Sequence, residues 1–182
     1  DDAPAFRAFG GRLTEALRYG ENPHQQAAFY RTPEQRAGVA TARQLQGKEL
    51  SYNNLIDLDQ ALRIVREFPE PCCVIIKHTN PCGTGLGADT LEAYRRAWEC
   101  DPVSAFGGIL AFNRRVNGAT GRKIAEVFVE AVIAPGYDAE AKQALQAKKN
   151  LRVMDMDTTA IHKVTGFDLK RVMGGLLAQQ WD

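Results

Sequence analysis

The apolar run Cys72-Cys73-Val74-Ile75-Ile76 constrains this chain more than any other segment. It has strand length and no polar position to turn toward water. Such a run suits a strand buried on both faces, as in a parallel sheet. Helical signals bracket it. Leu55, Leu58, Leu62 and Val65 recur at helical spacing within 51–68; Ser51, Asn53 or Asn54 can cap that helix, and Pro69 stops it. Asp89-Thr90-Leu91-Glu92 opens a second helix at capping-box spacing. Further on, 106–112 reads as a strand and 120–130 as a helix with Ile124, Val127 and Phe128 on one side. Ala131-Val132-Ile133-Ala134 reads as a buried strand ended by Pro135-Gly136. Asp138 caps an Ala- and Lys-rich helix to Lys149, and Leu151-Arg152-Val153-Met154 is the next strand. Residues 1–25 are turn-rich, Ala27-Ala28-Phe29-Tyr30 is a short strand, and 77–88 is a loop.

This alternation predicts an α/β fold of three layers, α/β/α, with helices on both faces of the sheet. Ligands of such sheets bind beyond the carboxyl ends of the strands. The loop that starts at Lys77 lies at one such end, so chemistry is sought there first.

The length of 182 residues, with 45% apolar and 25% charged, fits one domain with a real core. The net charge of +1 argues against a dedicated nucleic-acid binder. No apolar run approaches the roughly 20 residues a membrane helix needs, and the acidic start Asp1-Asp2-Ala3-Pro4 has no signal-peptide character. Cys72, Cys73, Cys82 and Cys100 show no C-x-x-C spacing, which leaves zinc and redox motifs unsupported and suits a reduced, cytoplasmic protein. Gly174-Gly175-Leu176-Leu177-Ala178-Gln179-Gln180-Trp181-Asp182 reads as a strand with nothing closing the domain, so a fragment of a longer polypeptide is expected.

Three polar segments could carry chemistry. In Lys77-His78-Thr79-Asn80-Pro81-Cys82-Gly83-Thr84-Gly85 a cation, an imidazole, a hydroxyl and an amide follow the buried strand. A histidine exchanges protons near neutral pH, and a neighbouring lysine stabilises developing negative charge. A polar loop that merely turns the chain fits this segment equally well. Arg18-Tyr19-Gly20-Glu21-Asn22-Pro23-His24-Gln25 offers an arginine suited to clamp a phosphate, or is an ordinary surface turn. Asp101-Pro102-Val103-Ser104-Ala105-Phe106-Gly107-Gly108 sets glycines beside an aromatic, so a planar ring could approach the backbone; a tight strand entry explains it too. Glu130 stands where a helix meets the next strand, and His162 reads as a surface residue.

Taken together these segments, with Gly47-Lys48-Glu49-Leu50-Ser51-Tyr52-Asn53-Asn54-Leu55 and Val132-Ile133-Ala134-Pro135, resemble the formyltransferase domain of the bifunctional AICAR formyltransferase/IMP cyclohydrolase family. AICAR is 5-aminoimidazole-4-carboxamide ribonucleotide. The resemblance spans nearly the whole chain, in family order. It implies formyl transfer from the co-substrate 10-formyltetrahydrofolate to the 5-amino group of AICAR, with no metal, within IMP biosynthesis. It implies a lobe like cytidine deaminase, residues 1–182 being the first lobe, with the cyclohydrolase domain and the second lobe absent. A homodimer of the full-length enzyme is implied, and the isolated half is expected to be catalytically incomplete. Residue by residue it implies His78 and Lys77 as catalytic; Arg18, Tyr19, His24, Asn54, Gly107 and Glu130 as contacts to the nucleotide; and Phe106 and Val103 on the folate side. The implied fold also raises a zinc deaminase, but such enzymes need H-x-E and P-C-x-x-C elements. Here Thr79-Asn80 follows His78 and Gly83-Thr84-Gly85 follows Pro81-Cys82.

Overall fold

A computed structural model describes residues 6, 8–33, 36–157 and 166–181. His162 lies outside the described residues. The strands are β1 (Arg12–Leu17), β2 (Ala27–Arg31), β3 (Arg43–Gln46), β4 (Cys72–Lys77), β5 (Asn80–Leu86), β6 (Ile109–Phe112), β7 (Ala131–Ala134), β8 (Arg152–Asp155), β9 (Phe167–Val172) and β10 (Gly175–Gln180). The helices are α1 (Tyr52–Val65), α2 (Thr90–Cys100), the single-turn α3 (Pro102–Ala105), α4 (Gly118–Ala125) and α5 (Ala139–Gln146). A six-stranded sheet runs in the order β3-β8-β7-β6-β4-β5; β1-β2 and β9-β10 form separate two-stranded sheets.

The pleat of the central strands builds two cores. Successive side chains of a strand point to opposite faces. Cys73 and Ile75 of β4, Leu110 and Phe112 of β6, and Val132 and Ala134 of β7 pack with α2, α4 and α5. Cys72, Val74 and Ile76, with Ile109, Ala111, Ala131 and Ile133, pack against Leu58, Ala61, Leu62 and Val65 of α1 on the other side. The fold is therefore α/β with helices on both faces, as the alternation predicts. All four cysteines are free thiols. Burial pushes the Cys72 thiol up to about 12, with the Glu70 carboxylate adding to it, and also raises the buried Cys73 thiol well above its ordinary value.

Side-chain caps set where the helices begin. Ser51, Asp89, Asp101, Asn117 and Asp138 each accept a hydrogen bond from the amide three residues on. Each such cap is typically worth about 1 kcal/mol. Among the described residues no helix is long and apolar enough to cross a membrane.

Several expectations are corrected. β4 is buried on both faces, but both its neighbours, β5 and β6, run antiparallel to it; only β6-β7-β8 are parallel. The segment 77–88 is not a loop but mostly the edge strand β5. Its glycines serve packing: a Cβ on Gly83 or Gly85 would run into the backbone of α2 at Ala97 and Ala93. The helix read over 120–130 stops at Ala125, because 128–130 is hydrogen-bonded to 107–108 instead of continuing the helix. There the Gly107 amide donates to the Phe128 carbonyl (2.9 Å) and the Glu130 amide to the Gly108 carbonyl (3.0 Å). The strand read over 106–112 starts at Ile109, since α3 occupies the preceding turn. β1 and β3 fall in stretches not read as strands; both are mostly polar or exposed, so neither carries a burial signal. The terminal strand is present as β10, paired with β9.

Candidate active site

The β4–β5 hairpin reverses through His78 and Thr79, which lie between the paired residues Lys77 and Asn80. Both central residues have positive φ, 52° for His78 and 62° for Thr79. Two-residue hairpin turns of this kind normally use Asn-Gly or Asp-Gly. A β-branched threonine at positive φ is a genuine outlier, and each such residue costs on the order of 1–3 kcal/mol. The surroundings hold the turn in place. The Asp57 carboxylate on α1 accepts the Thr79 amide at Oδ1 (2.7 Å) and the His78 amide at Oδ2 (3.2 Å). The Thr79 hydroxyl and the Asn80 side-chain amide both donate to the His78 carbonyl (2.7 and 3.1 Å).

The turn leaves His78 exposed at the rim of a cleft of about 620 Å³. Lys77 stands beside it, its Nζ donating to the Phe106 carbonyl (3.0 Å). Tyr19, Asn54, Gly107 and Glu130 line the same cleft, with Lys48, Asp57, Phe128 and Arg152. Gly107 has φ +75°, and a Cβ there would press on the Phe128 ring at 3.3 Å. The Phe106 and Phe128 rings lie 5.5 Å apart and tilted, forming an apolar wall. Asn54 closes the α1 capping box, its Oδ1 accepting from the Ser51 amide. That commits the oxygen and leaves the amide nitrogen as the available donor. Arg152, whose side chain is only 12% exposed, donates from Nη1 to Glu130 Oε2 (2.7 Å) and from Nε to the Glu49 carbonyl (2.8 Å). Glu130 is thus an acceptor already held by an internal cation.

Two hollows adjoin the cleft. One, about 330 Å³, contains Arg18 and Glu15, and shares Tyr19, Lys48, Ser51 and Arg152 with the cleft. The Arg18 guanidinium lies 5.7 Å from the centre of the Tyr19 ring. The other, about 470 Å³, is lined by Lys77, His78, Asn80, Pro81, Cys82, Asp101 and Ser104. Lys77 and His78 therefore form the partition between two spaces. Burial pushes the Cys82 thiol up, against the opposing Lys77 ammonium, which makes it a poor nucleophile at neutral pH.

The expected site is only partly assembled as read. Lys77, His78, Tyr19, Asn54, Phe106, Gly107 and Glu130 share one cleft. Arg18 lies in the adjoining hollow rather than beside Gly107. His24 is exposed and lines none of these spaces, because its turn (Gly20 to Gln25) closes on itself through the Gly20 amide and Gln25 carbonyl. Val103 is 85% exposed on α3 and lines none of them either. Lys48, Asp57 and Arg152 were not anticipated. Asp57 had a legible signal: it follows Asn54 by one helical turn, on the face that carries Leu58, Ala61 and Val65, and a buried carboxylate needs donors. Position differs from expectation too. The cleft lies at the carboxyl end of β4, but β4 runs against β6, β7 and β8. It therefore opens at the amino-terminal ends of the parallel strands, beside Ile109, Glu130 and Arg152.

The fold and the cleft define an α/β domain with a small-molecule-sized site, walled by both polar and apolar side chains, that presents an imidazole and an ammonium side by side. The model of the AICARFT/IMPCHase bienzyme family matches residues 2–182. The chain belongs to this family. It is 53% identical, over its whole length, to the bifunctional purine biosynthesis protein PurH of Bradyrhizobium diazoefficiens and to that of Roseobacter denitrificans. It is 52% identical to the PurH protein of Rhodospirillum rubrum. The chain covers 35% of the length of each of these relatives.

Proposed function

We propose that this chain is a lobe of an AICAR formyltransferase domain, that the cleft receives AICAR, and that His78 and Lys77 serve formyl transfer from 10-formyltetrahydrofolate in cytoplasmic IMP biosynthesis. The observation that carries the reading is the placing of Lys77 and His78 between the cleft and the 470 Å³ hollow. A transfer between two small molecules needs its catalytic groups at such a boundary. The 5-amino group of AICAR is conjugated with the imidazole ring and its carboxamide, which drain its electron density and make it a poor nucleophile. His78 takes its proton as the nitrogen attacks the formyl carbon. The Lys77 ammonium, anchored on the Phe106 carbonyl, stabilises the oxyanion that develops on the formyl oxygen. Collapse breaks the bond to N10 of the folate, which receives the proton His78 had taken and leaves as tetrahydrofolate; formyl-AICAR remains. Each such group is typically worth about 10²–10⁴-fold in rate.

The 5′-phosphate is assigned to the side of the cleft where Lys48 and Arg18 stand, Lys48 lining both spaces. Gly107 lets the nucleobase lie against the backbone, and Asn54 and Glu130 supply a donor and an acceptor to the carboxamide or ribose. For the folate this chain offers the half-exposed Phe106 ring and the hollow beyond His78. The share of the relatives' length that the chain covers favours a second reading for the chain by itself: it binds nucleotide without turning it over.

Calorimetry of AICAR against this chain, with Arg18→Ala beside it, tests the binding half. Binding weakened at least about tenfold by loss of the phosphate cation is expected. The catalytic half is read in the complete protein, likewise read as a homodimer: His78→Ala lowers kcat by about 10²–10⁴-fold with a smaller change in AICAR affinity. Equal loss of both, or parental turnover, contradicts the assignment.

A further inference from the structure

We propose that Asp57 is a positioning residue for this reaction: its carboxylate clamps the positive-φ turn that aims His78 into the cleft. The inference rests on the catalytic reading of His78 given above. Among the hydrogen bonds to the His78-Thr79 turn, those from Thr79 and Asn80 come from within the turn itself. They shape it but do not locate it. Asp57 reaches it from α1, a different element, and spends one oxygen on each of the two amides. Helix α1 also carries Asn54 into the same cleft. The carboxylate thus fixes the imidazole relative to the wall that holds the nucleotide. Asp57 is itself only 8% exposed, so water does not readily replace it. An angular error in His78 of the kind this clamp prevents removes rate without removing binding.

The test is a double-mutant cycle in the complete protein, reading kcat and KM for AICAR. Asp57→Asn keeps the shape but turns an amide nitrogen toward a backbone N–H, so one of the two bonds is lost. The expected result is a fall in kcat of about 10–100-fold with KM changed by less than about threefold. In the His78→Ala background the same substitution lowers kcat by less than about twofold, because nothing remains to be aimed. Thr79→Gly added to Asp57→Asn restores at least several-fold of the lost rate, since glycine holds positive φ without a clamp. If Asp57→Asn does not fold, Asp57→Glu takes its place in the same cycle, with the same expected and overturning results, because it keeps the charge but displaces both oxygens by one methylene. Parental kcat in Asp57→Asn overturns the proposal, as does an equal fall with and without His78, which is what a purely structural role gives. Parental turnover in His78→Ala instead overturns the catalytic reading itself. Loss in His78→Ala with none in Asp57→Asn removes only the clamp.

Discussion

At the scale of single residues, backbone conformation does as much as side-chain chemistry. His78 and Thr79 occupy positive φ although neither is glycine, and Gly107 occupies it where a Cβ would stand 3.3 Å from the Phe128 ring. Replacing Gly107 by alanine forces a Cβ into a φ of +75° and against the Phe128 ring. The variant is expected to lose about 1 kcal/mol of stability and to bind AICAR several-fold more weakly, read by thermal melting and calorimetry. Unchanged affinity would separate Gly107 from the nucleotide site. The residues read from sequence as chemical divide along physical lines. Those adjoining the central sheet or capping α1 (Lys77, His78, Asn54, Gly107, Glu130) converge, because the sheet and helix fix their positions. His24 and Val103 sit in an exposed turn and on a single-turn helix, where residue type says nothing about direction. The spacing of Asp57 on α1 signals a buried carboxylate, but its partners are backbone amides, which a sequence does not display.

At the scale of elements, caps and glycine contacts decide the geometry around the cleft. Asp101 caps α3 and accepts the Ser104 hydroxyl (2.6 Å) and amide (3.0 Å), which hold its carboxyl below the ordinary 3.8. A depressed carboxyl contributes stability that is present above its unfolded value and is lost as pH falls through its folded value. Asp101→Asn is therefore expected to melt below the parent at neutral pH. The gap, followed by melting temperature, should hold from about pH 7 down to about 4 and shrink only as the pH falls further, through the folded value of Asp101. A gap that persists in acid would assign the effect to shape rather than charge. Element type was legible wherever a period or an apolar run was strong. α1, β4, α2 and β7 fall where the pattern places them, with Ser51 and Asp89 as caps. β5 was not legible, because Pro81, Gly83 and Gly85 signal a turn in sequence, whereas in the fold the two glycines serve the close approach of α2. Strand direction was not legible either: burial on both faces looks the same in β4 whether its neighbours run with it or against it.

At the scale of the whole molecule, one reversal moves the site. Because β4 opposes β6, β7 and β8, the carboxyl end of one strand meets the amino ends of three, and the cleft forms along that edge. A larger cavity of about 780 Å³ lies elsewhere, between Phe29, Arg31, Ile56, Phe167 and Trp181, and holds neither Lys77 nor His78. Size alone would favour it; the convergence of Lys77, His78, Asn54 and Glu130 favours the cleft. Family membership does not choose between them. Amide chemical-shift mapping of AICAR on the isotope-labelled chain does so directly. The expected result is perturbation at Tyr19, Asn54, His78, Gly107 and Glu130, saturating together, with Phe29, Phe167 and Trp181 unmoved. Perturbation confined to those three residues, with the His78 turn silent, would contradict the assignment of the cleft.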